Sequence, residues 1–280
     1  MEKCDKIHPV WSLFGENEAD ARAKLPVAVM DSGVGGLCVL HEIRRILPCE
    51  ELLYFGDSAY APYGEREPKE LRTHILAEAE RLLSESKALV LACNTATALA
   101  AEELRARYPD VPIVGMEPAL KPALGVCENP RVLVLATALT LREEKYAQLA
   151  EKCGKNATVM ALPAPRIVEM VESGAENAPE TDAYLDELLA PYRTPAPDAV
   201  VLGCTHFPFV KERILRALGK DVPVFDGVRG TARRLYQLLA ENELFNPSPI
   251  SIVPFNGALK PSNVLIKVLF PVPFSPTIYK

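Results

Sequence analysis

Short apolar runs alternate with longer stretches of helical spacing from residue 27 to about residue 243. "VAVMD" (27–31), "ELLYFGD" (51–57), "ALVLAC" (88–93) and "VPIVGME" (111–117) read as strands. Between them, "CVLHEIRRIL" (38–47), "PKELRTHILAEAERLLSES" (68–86) and a segment reaching about Tyr108 read as helices. Pro48 ends the first of these, and Pro68 takes a favoured first position of the second. The pattern restarts at "RVLVLAT" (131–137) and continues through "LREEKYAQLAEKC", a helix stopped by Gly154. A strand "ATVMAL" (157–162), helices near 166–173 and 180–190, and the strand "DAVVLGC" (198–204) follow. A helix through Leu218, the strand "VPVFD" (222–226) and a helix over about 229–243 complete the series.

Strand–helix alternation of this kind predicts an α/β protein with parallel sheets covered by helices on both faces. The strands lack strict polar alternation, which fits burial on both sides. The restart near residue 119 predicts two similar doubly wound halves, with "KPAL" and "CENP" (121–130) forming the crossing. The expected division is an N-terminal extension (1–26), a first domain (27–118 plus about 227–245), a second domain (119–226) and a tail (246–280). The last helix then returns to the first half. From Asn246 to Lys280 there is no acidic residue and proline is frequent, so no regular helix is expected and any strand is short. The extension is expected to be a disordered leader, with a regulatory or interface segment as the alternative.

Composition narrows the function classes. Over 280 residues the net charge is −6, which argues against a nucleic-acid binder driven by bulk electrostatics. No apolar run approaches the ~20 residues of a membrane helix, and the first 26 residues lack the apolar segment of a signal peptide. The expectation is a cytoplasmic protein without nucleic-acid or membrane partners. Seven cysteines with no CxxC pair disfavour a disulfide framework or a zinc ribbon.

The candidate chemistry lies at strand ends, where open parallel sheets bind ligands. "LVLACNTATA" (89–98) and "VVLGCTHFPF" (200–209) each run to a cysteine followed by hydrogen-bonding residues: Cys93 with Asn94 and Thr95, Cys204 with Thr205 and His206. "MDSGVGGL" (30–37) places Asp31 and Ser32 before a glycine-rich turn whose N–H groups could cradle a carboxylate or phosphate. It is not a dinucleotide fingerprint, because Cys38 stands where GxGxxG needs its last glycine. "YFGDSAYAPYGER" (54–66) is a strand with Asp57 at its end and then a loop. A Cys/His hydrolase would use Cys204 and His206 but leaves the second thiol unexplained. A metal site built from Cys93, Cys204 and His206 would lack a ligand pair of firm spacing.

Taken together, "DSGVGGL", "YFGDSAYAPYGER", "ACNTATA", "GMEPA", "VLATALT", "VESG" and "VLGCTHFP" resemble the glutamate racemase family of the aspartate/glutamate racemase superfamily. They stand in family order from about residue 27 to 243. The resemblance implies cofactor-independent interconversion of L- and D-glutamate, which supplies D-glutamate for peptidoglycan. It implies two domains facing each other across a cleft, one cysteine from each, and a homodimer as the assembly to test. By that resemblance Cys93 deprotonates D-glutamate with help from Asp31. Cys204 deprotonates L-glutamate with help from His206, which Glu172 orients. Ser32, Asn94, Thr95 and Thr205 are the implied hydrogen-bond donors to substrate. Pro62, Tyr63, Gly64 and Thr137 complete the implied substrate contacts, and Asp57 supports the first-domain side. No metal or other cofactor is implied. Aspartate or another amino acid as substrate, and a non-catalytic thiol or metal-binding module, are the alternative readings.

The chain departs from the family pattern where Glu143 replaces a usual serine, Phe207 a usual tyrosine and Gly227 a usual serine. After "ENELFNPS" the terminal strand and acid-containing helix expected of the family are not recognisable.

Overall fold

The computed structural model describes residues 18–142 and 157–247 and the strand at 266–269. Two parallel sheets organise them. The first contains β1 (Val27–Asp31), β2 (Leu52–Gly56), β3 (Ala88–Leu91), β4 (Ile113–Gly115) and β9 (Ile266–Leu269), in the order β4-β3-β1-β2-β9. The second contains β5 (Arg131–Ala136), β6 (Thr158–Pro163), β7 (Ala199–Gly203) and β8 (Val224–Asp226), in the order β6-β5-β7-β8. Every pairing is parallel.

Period-two alternation sends neighbouring residues of one strand into different cores. Val27 and Val29 of β1 face a cluster with α2 (Leu37–Ile46) and α10 (Val228–Glu241), through Val39, Ile43, Leu235 and Leu239. Ala28 and Met30 face the opposite cluster, with Leu71, Ile75 and Leu82 of α3 (Pro68–Leu83) and Ala100 and Leu104 of α4 (Asn94–Arg107). That is why β1 is apolar from Val27 to Met30 before it ends in Asp31. The second sheet repeats the arrangement: Leu133 and Leu135 face α7 (Pro165–Glu172), α8 (Pro179–Leu189) and α9 (Lys211–Leu218), while Val132 and Val134 face α5 (Leu120–Ala123). The helix α10 therefore packs on the first sheet although it follows the last strand of the second.

Two expectations are corrected. The leader is not disordered throughout, because α1 (Glu18–Ala23) is helical and Ala23 is buried. Its anchor is Lys87, a fully buried lysine whose Nζ lies 2.5 Å from Glu50 Oε2 and also donates to the Ala23 carbonyl. Glu50 Oε1 in turn accepts the backbone N–H of Asn246 at 2.9 Å. Burial lowers the Lys87 pKa, and the Glu50 pairing opposes that. A charged lysine is retained inside the fold only because such partners surround it. In the tail the expectation of short strands holds, and what is corrected is only that the terminal strand is not recognisable: "IKVL" forms β9, a fifth strand of four residues parallel to β2 that the proline-rich sequence around it obscured. Of the helix expected over 141–153, α6 (Ala138–Arg142) is described; its remainder, the departure at Glu143, the start of the leader and the rest of the tail lie outside the described residues.

Candidate active site

Three strand ends of the first sheet and two of the second supply the site. Asp31 closes β1, and its carboxylate is fully buried. Its Oδ2 accepts the N–H groups of Gly33 (3.2 Å) and Gly36 (2.9 Å), and its Oδ1 accepts the Thr205 hydroxyl at 3.1 Å. The Val34 N–H donates to Glu172 Oε1 at 2.7 Å. The glycine-rich turn thus does cradle carboxylates, but they are the protein's own. Alanine at Gly33 would put its Cβ 1.9 Å from Glu172 Oε1, and at Gly35 2.5 Å from Thr205 Oγ1. Glycine is required there because side chains of the second half occupy that space.

Cys93 is the residue before α4, so its thiol sits at a helix N-terminus. Burial, and then the Asp31 charge, push it up to about 12, while the Ala96 backbone N–H and the Ser32 hydroxyl pull the other way. Cys204 follows β7, and its Sγ lies 3.6 Å from His206 Nδ1. The far nitrogen, Nε2, meets Glu172 Oε1 at 2.5 Å. Burial works against a charged His206, yet its hydrogen bonds to Cys204 and Glu172 outweigh that and hold it at about 10. Glu172 is itself buried enough to be raised, but the His206 contacts bring it below the usual carboxylate range. Asp31 is raised by burial, against the pull of His206 and its backbone donors.

Both thiols line one pocket, together with Ser32, Pro62, Tyr63, Gly64, Asn94, Thr95, Thr137 and His206. Its internal space is only ≈ 20 Å³, room for a water-sized molecule. Asp31, Thr205, Glu172 and Asp57 do not line it and stand behind the residues that do. Glu65, Pro165, Val168 and Gly203 also line it and were not singled out in the sequence. Glu65 is adjacent to the conspicuous Tyr63–Gly64 pair, and Gly203 to Cys204; Pro165 and Val168 carry no such signal, being part of an ordinary amphipathic helix. Asn94 is buried, and neither end of its amide has a hydrogen-bond partner among the described residues. Leaving such a group dry costs on the order of 1–3 kcal/mol, so it is suited to a polar ligand. Thr95, Thr137 and Thr140 join hydroxyls across the halves, with Thr95 Oγ1 3.1 Å from Thr137 Oγ1.

On the first-domain rim, Asp57 Oδ2 accepts the Tyr63 hydroxyl at 2.7 Å. Burial, then the Asp57 charge, raise Tyr63 well above the phenol range, so it remains a donor. None of the described cysteines is joined in a disulfide. Among the described residues no three His, Cys, Asp or Glu side chains gather as a metal site, so the ligand role considered for Cys93, Cys204 and His206 lacks geometric support. No described helix is long and apolar enough to cross a membrane. Phe207 and Gly227, two of the sequence departures, stand away from the pocket lining: Phe207 is fully buried in the second core.

Comparison with known proteins agrees with this geometry. The family described as Asp/Glu/Hydantoin racemase matches residues 39–235. A glutamate racemase of Clostridium botulinum is 41% identical over 240 residues, covering 84% of this chain and 93% of its own. The crystal structure of Francisella tularensis glutamate racemase in complex with D-glutamate aligns with a TM-score of 0.69 at 28% identity, over 89% of this chain and 88% of that one. The Escherichia coli glutamate racemase, solved with L-glutamate and the activator UDP-MurNAc-ala, aligns with a TM-score of 0.71 at 32% identity, over 77% of this chain and 83% of that one. With its paired strand-end thiols and this extent of likeness, the chain belongs to the Asp/Glu/Hydantoin racemase family, among the glutamate racemases.

Proposed function

We propose that the protein interconverts L- and D-glutamate by a two-thiol mechanism without a cofactor. The observation that carries this reading is that Cys93 and Cys204, from the ends of equivalent strands in two sheets, line the same pocket. One thiolate takes the Cα hydrogen as a proton. The electron pair stays on Cα and spreads into the substrate carboxylate, and the other thiol delivers its own proton to the opposite face. The product leaves one thiol and one thiolate with their roles exchanged, so the reaction runs in either direction.

Ser32, Asn94 and Thr95 would donate to the substrate where charge develops, and water displaced by the bound substrate would strengthen each contact. Asp31 would act on Cys93, His206 on Cys204 with Glu172 as its orienting partner, and Thr205 would hold Asp31. Pro62, Tyr63, Gly64 and Thr137 would bound the substrate. Admitting glutamate requires the pocket walls to move apart, because ≈ 20 Å³ does not hold it. The domains we assign are 27–118 plus about 227–245, and 119–226. The cellular role is supply of D-glutamate for peptidoglycan in the cytoplasm. The test is a chiral assay in deuterium oxide with no pyridoxal phosphate added. L-glutamate should yield α-deuterated D-glutamate, and faster turnover of aspartate than of glutamate would reassign the substrate. Unlabelled D-glutamate, or none at all, would sink the mechanism.

A further inference from the structure

His74 is absent from every motif that marks the site, and its sequence position is an ordinary turn of α3. Its Nε2 lies 2.6 Å from Asp57 Oδ2, the same oxygen that accepts the Tyr63 hydroxyl. Asp57 and Tyr63 are buried, whereas the His74 side chain is 28% exposed. The imidazole also stacks on Tyr60, with ring centroids 4.1 Å apart and planes 19° from parallel. Arg66 spans the same loop, its guanidinium 4.5 Å from the Tyr60 ring centroid and its Nε donating to the Tyr60 carbonyl. The short 3-10 turn Tyr63–Glu65 between these residues forms a pocket wall. Its tip meets the other half of the molecule: a Cβ on Gly64 would fall 2.7 Å from Thr137 Cβ.

We infer that His74 is a positioning residue for the racemase reaction, acting through Asp57 and Tyr63 to hold the Tyr63–Glu65 turn against Thr137 and so close the pocket. Two donors on one carboxylate oxygen, one from the turn and one from a long helix, tie the turn to the rigid part of the first half. Without the helix donor the turn remains present but its distance from Thr137 is no longer set. The binding of substrate then suffers more than the chemical step, because the turn bounds the pocket and carries neither thiol.

This inference rests on the proposed glutamate chemistry for its kinetic arm only. The experiment compares the full-length protein with His74→Phe, which retains a ring against Tyr60 but no donor, and His74→Gln, which retains a donor of similar reach but no ring. For His74→Phe the expected result is a KM for glutamate raised at least about fivefold with kcat within about twofold, and for His74→Gln a KM recovered most of the way to wild type. Thermal melting of each variant separates this from simple loss of fold. A second arm measures the rate of iodoacetamide alkylation at Cys93 by peptide mass spectrometry, which needs no turnover. That rate should rise about fivefold or more in His74→Phe and stay near wild type in His74→Gln. Equal alkylation rates in all three proteins, or a Gln variant no better than Phe in both arms, would overturn the inference. A wild type that does not racemise glutamate would instead overturn the proposed function, leaving the alkylation arm to decide on His74.

Discussion

The two thiols occupy equivalent strand ends but live in different company. Cys93 stands at a helix N-terminus beside a buried carboxylate, and its environment pushes it up to about 12. Cys204 stands 3.6 Å from an imidazole that, against the pull of burial, its hydrogen bonds to Cys204 and then to Glu172 hold in its charged form up to about 10. The near-symmetry of the sheets does not extend to the groups behind the sulfurs. In the proposed reaction this asymmetry has a definite limit. L- and D-glutamate have the same free energy, so kcat/KM must be equal in the two directions at every pH. The difference between the thiols can appear only in how that ratio divides into kcat and KM.

The strongest test of the comparison is removal of either sulfur. Cys93→Ala and Cys204→Ala should each reduce racemisation by about 10³-fold or more, at the upper end of what a positioned acid or base contributes. A chiral assay from each enantiomer checks this, and survival of either variant at the wild-type rate would break the pairing. Next come the groups behind Cys204: His206→Asn and Glu172→Gln should each cost about 10²-fold in kcat. The loss should divide unequally between the two directions, as progress curves started from pure L- and pure D-glutamate would reveal.

A smaller effect concerns stability against pH. The His206 value is raised from the ordinary 6.5 to about 10, so its charged form stabilises the fold fully below pH 6.5, and that contribution is lost as pH rises through about 10. The melting temperature of the wild type should therefore fall between these limits more steeply than that of His206→Asn. Parallel curves would mean that the imidazolium is not held by its partners. Smallest is Thr205→Val, which leaves Asp31 Oδ1 without the donor that crosses from the second half. Its expected cost is about 1–3 kcal/mol in unfolding free energy, measurable by denaturant titration, with both catalytic directions affected alike.

The alternation of apolar runs made both sheets legible, because strands buried on two faces leave an unambiguous hydrophobic signature. Cys93 and Cys204 were legible for a related reason: a thiol that ends such a run falls on the edge where ligands bind. The glycine-rich turn was half legible. Its N–H groups do meet carboxylates, but that these are Asp31 and Glu172 depends on a contact between residues 138 positions apart. His74 was hidden because a helix of mixed polarity offers no sign of which polar residue faces inward. β9 was hidden because four residues among prolines make no pattern until β2 offers an edge to pair with. The helix α1 was concealed by its own small amphipathic length, and what holds its end, a buried lysine, lies 64 residues away.

That lysine gives the leader a significance beyond its sequence. One ammonium, sealed from water, is neutralised by Glu50 and capped by the oxygen of Ala23, while the same glutamate grips Asn246. Cutting the protein back to its first strand would not merely trim an appendage: it would strip a ligand from a desolvated cation at the base of the first sheet. The stretches ahead of the first strand and behind the last helix meet at that knot, so engineering at either end perturbs the other.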